Sequence, residues 1–243
     1  MLYKCIKAER LKLKHSTWLL LIFLIPVLPA LIGSVNYSNN ITILSSTWYS
    51  LWTQHTLFYA NFFFAPLIGT CASFLWKMEH QNHNWNTFMT MPISPASLYL
   101  GKLSILCGLT IFLQLWVGLL FFAAGKYFHF SGFPSEICWW LLRGTLGGLV
   151  VCTIQLLLSM IIRSFSVPIM LALLGGISGF LMTTKDLGLF NPYSLVMLGM
   201  NANKNTDSMA GEVIPFLLSS VFFLVIISTL AVLILKKRDV RTV

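Results

Sequence analysis

The chain contains 243 residues, of which 57% are hydrophobic and only 9% are charged. Soluble domains carry about 25% charged residues, so this composition excludes an ordinary soluble protein. There are 16 basic and 7 acidic side chains, and the net charge of +9 raises the question of a nucleic-acid partner.

Six apolar stretches are long enough, or nearly so, to cross a bilayer as helices, for which about 20 residues are needed. Their continuous apolar character favours helices over the alternating pattern of a membrane β-barrel. We therefore predict a single all-α integral membrane domain over residues 1–243. The predicted spans are 16–35, 53–76, 98–124, 137–162, 167–182 and 213–235.

The basic residues are distributed unevenly between the two sides of this predicted domain. With six spans, 12 of the 16 lysines and arginines fall on the side that carries both termini. The positive-inside rule therefore predicts that both termini are cytoplasmic. Because the basic residues act as topology signals, we expect no nucleic-acid partner.

The residues before the first span form a second kind of element. Four apolar residues, beginning at Leu2 and ending at Leu13, share one side of a helical wheel. Four basic residues, beginning at Lys4 and ending at Lys14, share the other side. This pattern predicts an amphipathic interfacial helix over residues 1–15, with its basic face towards anionic lipid. The alternative is that these residues are only a positively charged flank of the first span.

The cytoplasmic segment 77–97, between the second and third spans, differs from the other connections in its polar start. Glu79, His80 and His83 cluster there beside Trp85, and the two histidines lie three apart on one helical face. Glu and His are known zinc ligands, so a metal site is conceivable. Since the segment has no HExxH motif, we instead expect a docking surface for a cytosolic protein, without metal.

The longest outer segment, 183–212, contains an apolar patch at 187–200 that Asn191 and Pro192 interrupt. The patch is too short to cross a bilayer. It is either a re-entrant or interfacial helix pair or a loop packed over the helix ends, and the sequence leaves both open.

The predicted spans contain few polar groups that could drive transport. Between the span ends we identify only Gln114 and Gln155 as large polar side chains, with scattered Ser, Thr and Asn61. Arg143 lies close to the outer end of its span, where its side chain can reach the interface. Proton-coupled transport needs titratable groups in the membrane, and a membrane enzyme needs a nucleophile, a base or a metal, so both classes are disfavoured. The sequence also lacks a G-x-x-x-x-G-K-[ST] loop, which suggests a separate ATPase as the energy source.

Several stretches together resemble a known family. They are the basic run at 7–14, the aromatic-rich stretch at 52–66, and above all EHQNHNW at 79–85, followed by Met-Pro at 91–92 and the 99–102 stretch. On these residues the chain resembles, along essentially its whole length, the ABC-2-type permeases of the lantibiotic-protection group, which serve bacteriocin immunity.

The resemblance implies an ABC-2 exporter fold in a multi-pass protein of the bacterial plasma membrane. It implies that the segment after the second span resembles a coupling helix that docks on the ATPase, and that 183–212 forms an extracytoplasmic hairpin. The residues expected in the ATPase contact are Lys77, Glu79, His80, His83 and Trp85.

The resemblance also implies partners and a function. Two ATPase subunits would bind ATP and Mg, while this chain would carry no cofactor and no catalytic residue. A second permease subunit would face this one, with a heteromer as the first expectation and a homodimer as the alternative. The cargo would be a cationic antimicrobial peptide of lantibiotic type, expelled from the membrane to protect the producing cell. Another amphipathic peptide, a lipid-linked molecule or a drug stays open as cargo; a membrane enzyme and a sensory subunit are more remote alternatives.

Four aromatic residues near the outer end of the second span are candidates for contact with such a peptide. An interfacial aromatic belt explains them at least as well. These residues are Trp48, Trp52, Phe58 and Tyr59.

Overall fold

A computed structural model describes residues 1–13, 19–81, 93–204 and 213–237. Within these ranges the chain forms helices, turns and loops, and no strand. In the same part of the chain, six helices are long and apolar enough to cross a membrane, which confirms the all-α class and the number of spans. Numbered first to sixth, the spans are Leu20–Asn39, Thr47–His80, Pro95–Tyr127, Glu136–Ile161, Ser166–Thr183 and Val213–Lys237.

The helix predicted at the N-terminus is observed at Leu2–Leu13. Its buried face carries Cys5 and Glu9 and packs against the start of the third span. The approach is close, because a Cβ at Gly101 would lie 3.0 Å from the Cβ of Cys5. An acidic residue therefore lies on the side of this helix that the sequence pattern assigned to apolar residues.

The first span is broken near its start and extends further outward than predicted. It consists of helices Leu19–Leu24 and Val27–Asn39, separated at Pro26, whose ring cannot continue the helical hydrogen bonding. The polar residues after position 35 were expected in a loop. They are helical because their side chains find partners within the protein, as when Asn36 Nδ2 donates to Gln54 Oε1 at 2.5 Å.

The second span begins at Thr47 rather than 53 and continues to His80 rather than 76. Near its middle, Tyr59–Phe63 forms a turn of π-helix, in which the Phe64 N–H donates to the carbonyl of Tyr59. Pro66 has no N–H to donate one turn back, and helices accommodate such a defect by local widening. The widened turn presses its backbone against the fifth span at Gly176, where any Cβ would clash.

The fourth span lies at the centre and contacts the second, third and sixth spans. Its glycines permit this crowding. A Cβ at Gly144 would clash with the Met200 side chain, and one at Gly147 would clash with the Leu195 backbone. The small residues of the fourth span are thus used for helix packing within the chain.

The outer segment after the fifth span forms two short helical pieces, Gly188–Phe190 and Ser194–Gly199. The second piece is buried against the fourth and fifth spans, with Leu195 and Val196 fully covered. The remainder of the predicted hairpin, 205–212, lies outside the described residues. The apolar patch therefore packs onto the bundle as a broken helix.

Replacing Gly147 by alanine tests the close contact at the centre of the bundle. We expect Gly147→Ala to destabilise the protein by about 1–3 kcal/mol, because the added methyl group would push away the short helix Ser194–Gly199. Gly108→Ala is the matched control, since apart from its chain neighbours and the nearby backbone of its own helix nothing lies within 4 Å of a Cβ at this glycine. The readout is the temperature at which the detergent-purified chain loses its monodisperse elution peak. Equal melting of both variants would contradict the packing described.

Candidate functional site

The end of the bundle that carries both termini, here called the inner end, holds a buried cluster of four charged residues. Two come from the N-terminal helix, one from the last turn of the second span and one from the start of the third. We name them the ion cluster: Glu9, Lys12, Glu79 and Lys102.

Helical geometry brings these residues together. Glu9 and Lys12 lie three apart on one face of the N-terminal helix, and the Lys12 Nζ to Glu9 Oε1 distance is 2.9 Å. The second span continues past Trp76, so Glu79 lies one turn beyond the Leu75 carbonyl and faces the third span. Lys102 reaches both, with its Nζ 2.6 Å from the Leu75 carbonyl and 2.7 Å from Glu79 Oε1.

Each carboxylate in the ion cluster contacts both ammonium groups. Lys102 Nζ is also 3.0 Å from Glu9 Oε1, and Lys12 Nζ is 2.6 Å from Glu79 Oε1. Two acids and two lysines give the cluster no net charge. Lys102 additionally lies over the Trp76 ring, with Nζ 4.7 Å from the ring centroid. Positive and negative charges thus alternate around the cluster, which is the arrangement that burial in a low-dielectric interior requires.

Burial makes the ion cluster sensitive to the loss of any member. The exposed fractions are 0% for Lys102, 3% for Glu9 and 4% for Glu79. Removing one partner of a buried ion pair costs about 3–5 kcal/mol, because a charge is left without compensation. The second oxygens of Glu9 and Glu79 accept no hydrogen bond in the described structure, so the lysines are the groups on which both carboxylates depend.

Lys12 is the member at the edge of the cluster, with a side chain that is 25% exposed. Burial lowers the pKa of its ammonium group, but the Glu79 and Glu9 carboxylates outweigh burial and raise the pKa of Lys12 above its ordinary value. The lysine therefore stays charged throughout the physiological pH range, and the link between the N-terminal helix and the second span persists with it.

The residues predicted for ATPase contact are distributed over different environments. Glu79 is buried in the ion cluster and does not lie on a surface. Lys77 is exposed, and the ring of His80 donates from Nε2 to the Ser159 carbonyl at 2.8 Å. His83 and Trp85 lie outside the described residues. The proposed contact with an ATPase stays a prediction for all five.

The aromatic residues predicted to meet a peptide mostly face the interior. Trp48, Trp52 and Tyr59 are buried, and Trp52 Nε1 donates to the Met200 carbonyl at 2.9 Å. Only Phe58 is half-buried. A peptide could reach the first three only after this interior rearranges, so their contact with cargo also stays a prediction.

The expectation that Gln114 and Gln155 are the only large polar groups within the spans is wrong. His55 lies in the second span, 2% exposed, with its Nε2 2.9 Å from the Ser34 hydroxyl of the first span. Lys102 lies eight positions into the helix that begins at Pro95. Both positions also fall within predicted spans, so each is a polar group inside the membrane domain that the expectation omitted.

Sequence reasoning missed Glu9, Lys12 and Lys102 as parts of the site. A signal was present, because the chain has only 7 acidic residues and a lysine falls inside the predicted span 98–124. A lysine within a span requires an opposite charge, and Glu9 and Glu79 are two of the few acids on its side of the membrane. Among the residues that the structure describes, no three His, Cys, Asp or Glu side chains group as metal ligands.

These features define a six-span helical membrane protein whose N-terminal helix is locked to the inner end of the bundle by buried charges. A family model described as ABC-2 family transporter protein matches residues 5–179, which contain the whole ion cluster. The chain therefore belongs to the ABC-2 family and is the membrane component of an ABC transporter, which implies an ATPase partner. No curated protein and no solved structure matches it significantly.

Replacing Lys102 tests the ion cluster. We expect Lys102→Met to cost about 3–5 kcal/mol, because two buried carboxylates lose the fully buried one of the two lysines that they share. Lys77→Met, which removes an exposed lysine from the same end of the second span, should leave the melting temperature of the purified chain nearly unchanged. Adding Glu79→Gln to Lys102→Met should restore part of the loss, since one stranded charge is then removed. Wild-type melting of Lys102→Met would refute the cluster as a stabilising element.

Proposed function

We propose that this chain is the permease subunit of an ATP-driven exporter that removes a lantibiotic-type antimicrobial peptide from the membrane and so protects the producing cell. Two ATPase subunits would supply the energy, and a second permease subunit, of a different sequence, would face this one. Membership of the ABC-2 family supports the transport role. The sequence stretches that resemble those of lantibiotic-protection permeases support a peptide of this type as the cargo.

The observation that carries the transport proposal is the position of the ion cluster beside segment 77–97. Glu79 lies within the start of this segment, and Lys102 lies seven residues after the Pro95 at which the third span begins. Both flanks of the segment are therefore fixed to the N-terminal helix by the same four charges. A displacement of the segment by an ATPase would move the second span, the third span and the N-terminal helix together.

In this proposal Glu79 is a positioning residue. It holds the inner end of the second span in place, while exposed groups such as Lys77 make the contact with the ATPase. This division assigns the buried and the exposed members of the predicted set to different tasks. The polar character of 77–85 agrees with this division, since a segment that contacts a cytosolic protein is expected to expose hydrophilic residues.

The proposed cargo is a cationic, amphipathic peptide that enters from the outer leaflet. The chain offers such a molecule an apolar surface, because exposed large hydrophobic side chains line the first, third and sixth spans. Of the four aromatic residues predicted to meet the peptide, Phe58 is the one with a side chain that it could contact without rearrangement of the interior. We therefore assign the first contact to the neighbourhood of Phe58.

Replacing Glu79 tests the coupling part of the proposal. In the complex with its ATPase, we expect Glu79→Ala to lower ATP turnover per inserted permease and to abolish peptide resistance, because the end of the second span is released. Glu136→Ala is the matched control, since this acid is exposed at the opposite end of the bundle and bonds the Tyr49 hydroxyl at 3.3 Å. Turnover is normalised to the amount of permease in the membrane. Unchanged turnover and unchanged resistance in Glu79→Ala would exclude the role.

A sensitivity assay tests the cargo separately. Cells that contain the permease pair and the ATPase should tolerate a higher concentration of a lantibiotic than cells without the complex. Their tolerance of an apolar drug and of an unrelated linear cationic peptide should not change. If the complex protected only against the drug, the chain would belong to a drug exporter and the peptide cargo would be wrong. The result of the Glu79→Ala test would not be affected.

A further inference from the structure

A second feature of the inner end is a cleft of about 220 Å³ between the end of the second span and the turn that joins the fourth and fifth spans. Lys77 and His80 line one side of the cleft, and Arg163 and Ser164 line the other. None of the residues that line it belongs to the ion cluster. The cleft is therefore a separate site on the same end of the protein.

The charge in this cleft is positive and uncompensated. In the described part of the chain, all four ion pairs belong to the ion cluster, so neither Lys77 nor Arg163 contacts a carboxylate. The neighbouring segment 82–92 contains no acidic residue in its sequence. Two exposed cations on facing sides of a cleft favour an anionic ligand.

Backbone groups add to this preference. The fifth span begins at Ser166, directly after Ser164 and Phe165 of the cleft wall. A helix N-terminus carries a partial positive charge, so the start of this span adds to the basic character of the cleft. Lys77 Nζ lies 5.9 Å from the centroid of the Phe165 ring, so the ammonium group is close to this wall of the cleft.

Exposed apolar side chains adjoin the cleft. Phe165, in the cleft wall, is 43% exposed, and Ile161, the last residue of the fourth span and the neighbour of the lining residue Ile162, is 41% exposed. A ligand with an anionic head and apolar chains would match both features. A free phosphate ion would match only the cleft.

We propose that this cleft binds the headgroup of an anionic phospholipid from the inner leaflet, with its acyl chains lying against Phe165 and Ile161. The phosphate would lie between Lys77 and Arg163, and the Ser164 hydroxyl would donate to it. Basic pockets between membrane helices on the cytoplasmic side are suited to such headgroups. The binding needs neither the ATPase nor the cargo, so it goes beyond the export function. Lys77 is also the residue assigned to the ATPase contact, so lipid binding is measured on the chain without its ATPase, where the two proposals are tested separately.

The test measures lipid retention by the detergent-purified full chain in native mass spectrometry, with phosphatidylglycerol and phosphatidylcholine as competing probes. The wild-type chain should retain phosphatidylglycerol in preference. Lys77→Gln/Arg163→Gln should weaken this retention roughly thirtyfold, because two contacts to the anionic headgroup are lost. Lys236→Gln/Lys237→Gln is the matched control, since it removes two exposed cations from the same end of the protein and should retain the lipid.

Three results would overturn the proposal. Equal retention of the two lipids would exclude a site for anionic headgroups. Equal loss in both double variants would indicate a diffuse basic surface, and displacement of the lipid by millimolar inorganic phosphate would indicate a phosphate site. If the glutamine variant does not purify as a monodisperse chain, the wild-type chain is cross-linked instead with photoactivatable phosphatidylglycerol, and the cross-linked positions are mapped. Cross-links should concentrate in 161–165, and an even spread over the basic positions of the inner end would refute the cleft.

Discussion

A lysine ammonium buried inside a helix bundle is stable only where opposite charges reach it. Lys102 is fully buried, and the carboxylates that reach it come from the N-terminal helix and from the last turn of the second span. This one cation therefore dictates how three separate elements of the inner end lie relative to one another. The close approach at Gly101 and the continuation of the second span to His80 both serve this arrangement, because each brings a carboxylate within reach.

The same constraint relates the structure to its role as a transporter subunit. The chain belongs to the ABC-2 family, which implies an ATPase partner as its source of energy. The ion cluster joins Glu79 and Lys102 to the N-terminal helix. The exposed basic side chains of that helix, at Lys4, Lys7 and Arg10, remain on the surface. The buried contacts and the surface charge of this helix are thus supplied by different residues.

Much of the fold could be predicted from the sequence, because six continuous apolar runs determine six helical spans. The boundaries could not, since polar residues such as Asn36 were assigned to a loop although they bond a neighbouring helix. For the site, Glu79 was predicted as part of a docking surface, whereas the structure buries it in the ion cluster. Glu9 was overlooked because a helical wheel sorted by hydrophobicity hides an acid on the buried face, and its pairing with Lys102 spans 93 positions.

The central claim is that buried charges hold the N-terminal helix against the third span. The most direct measurement is disulfide formation between the native Cys5 and a thiol introduced by Gly101→Cys. A Cβ at position 101 would lie 3.0 Å from the Cβ of Cys5, slightly closer than in a disulfide, so a small shift brings the two sulfurs into bonding geometry.

Mass spectrometry of the oxidised, purified chain should show this bond forming quickly, much more slowly when Lys102→Met is added, and not at all with Gly108→Cys. A bond that forms equally fast without Lys102, or one that does not form in Gly101→Cys, would contradict the account.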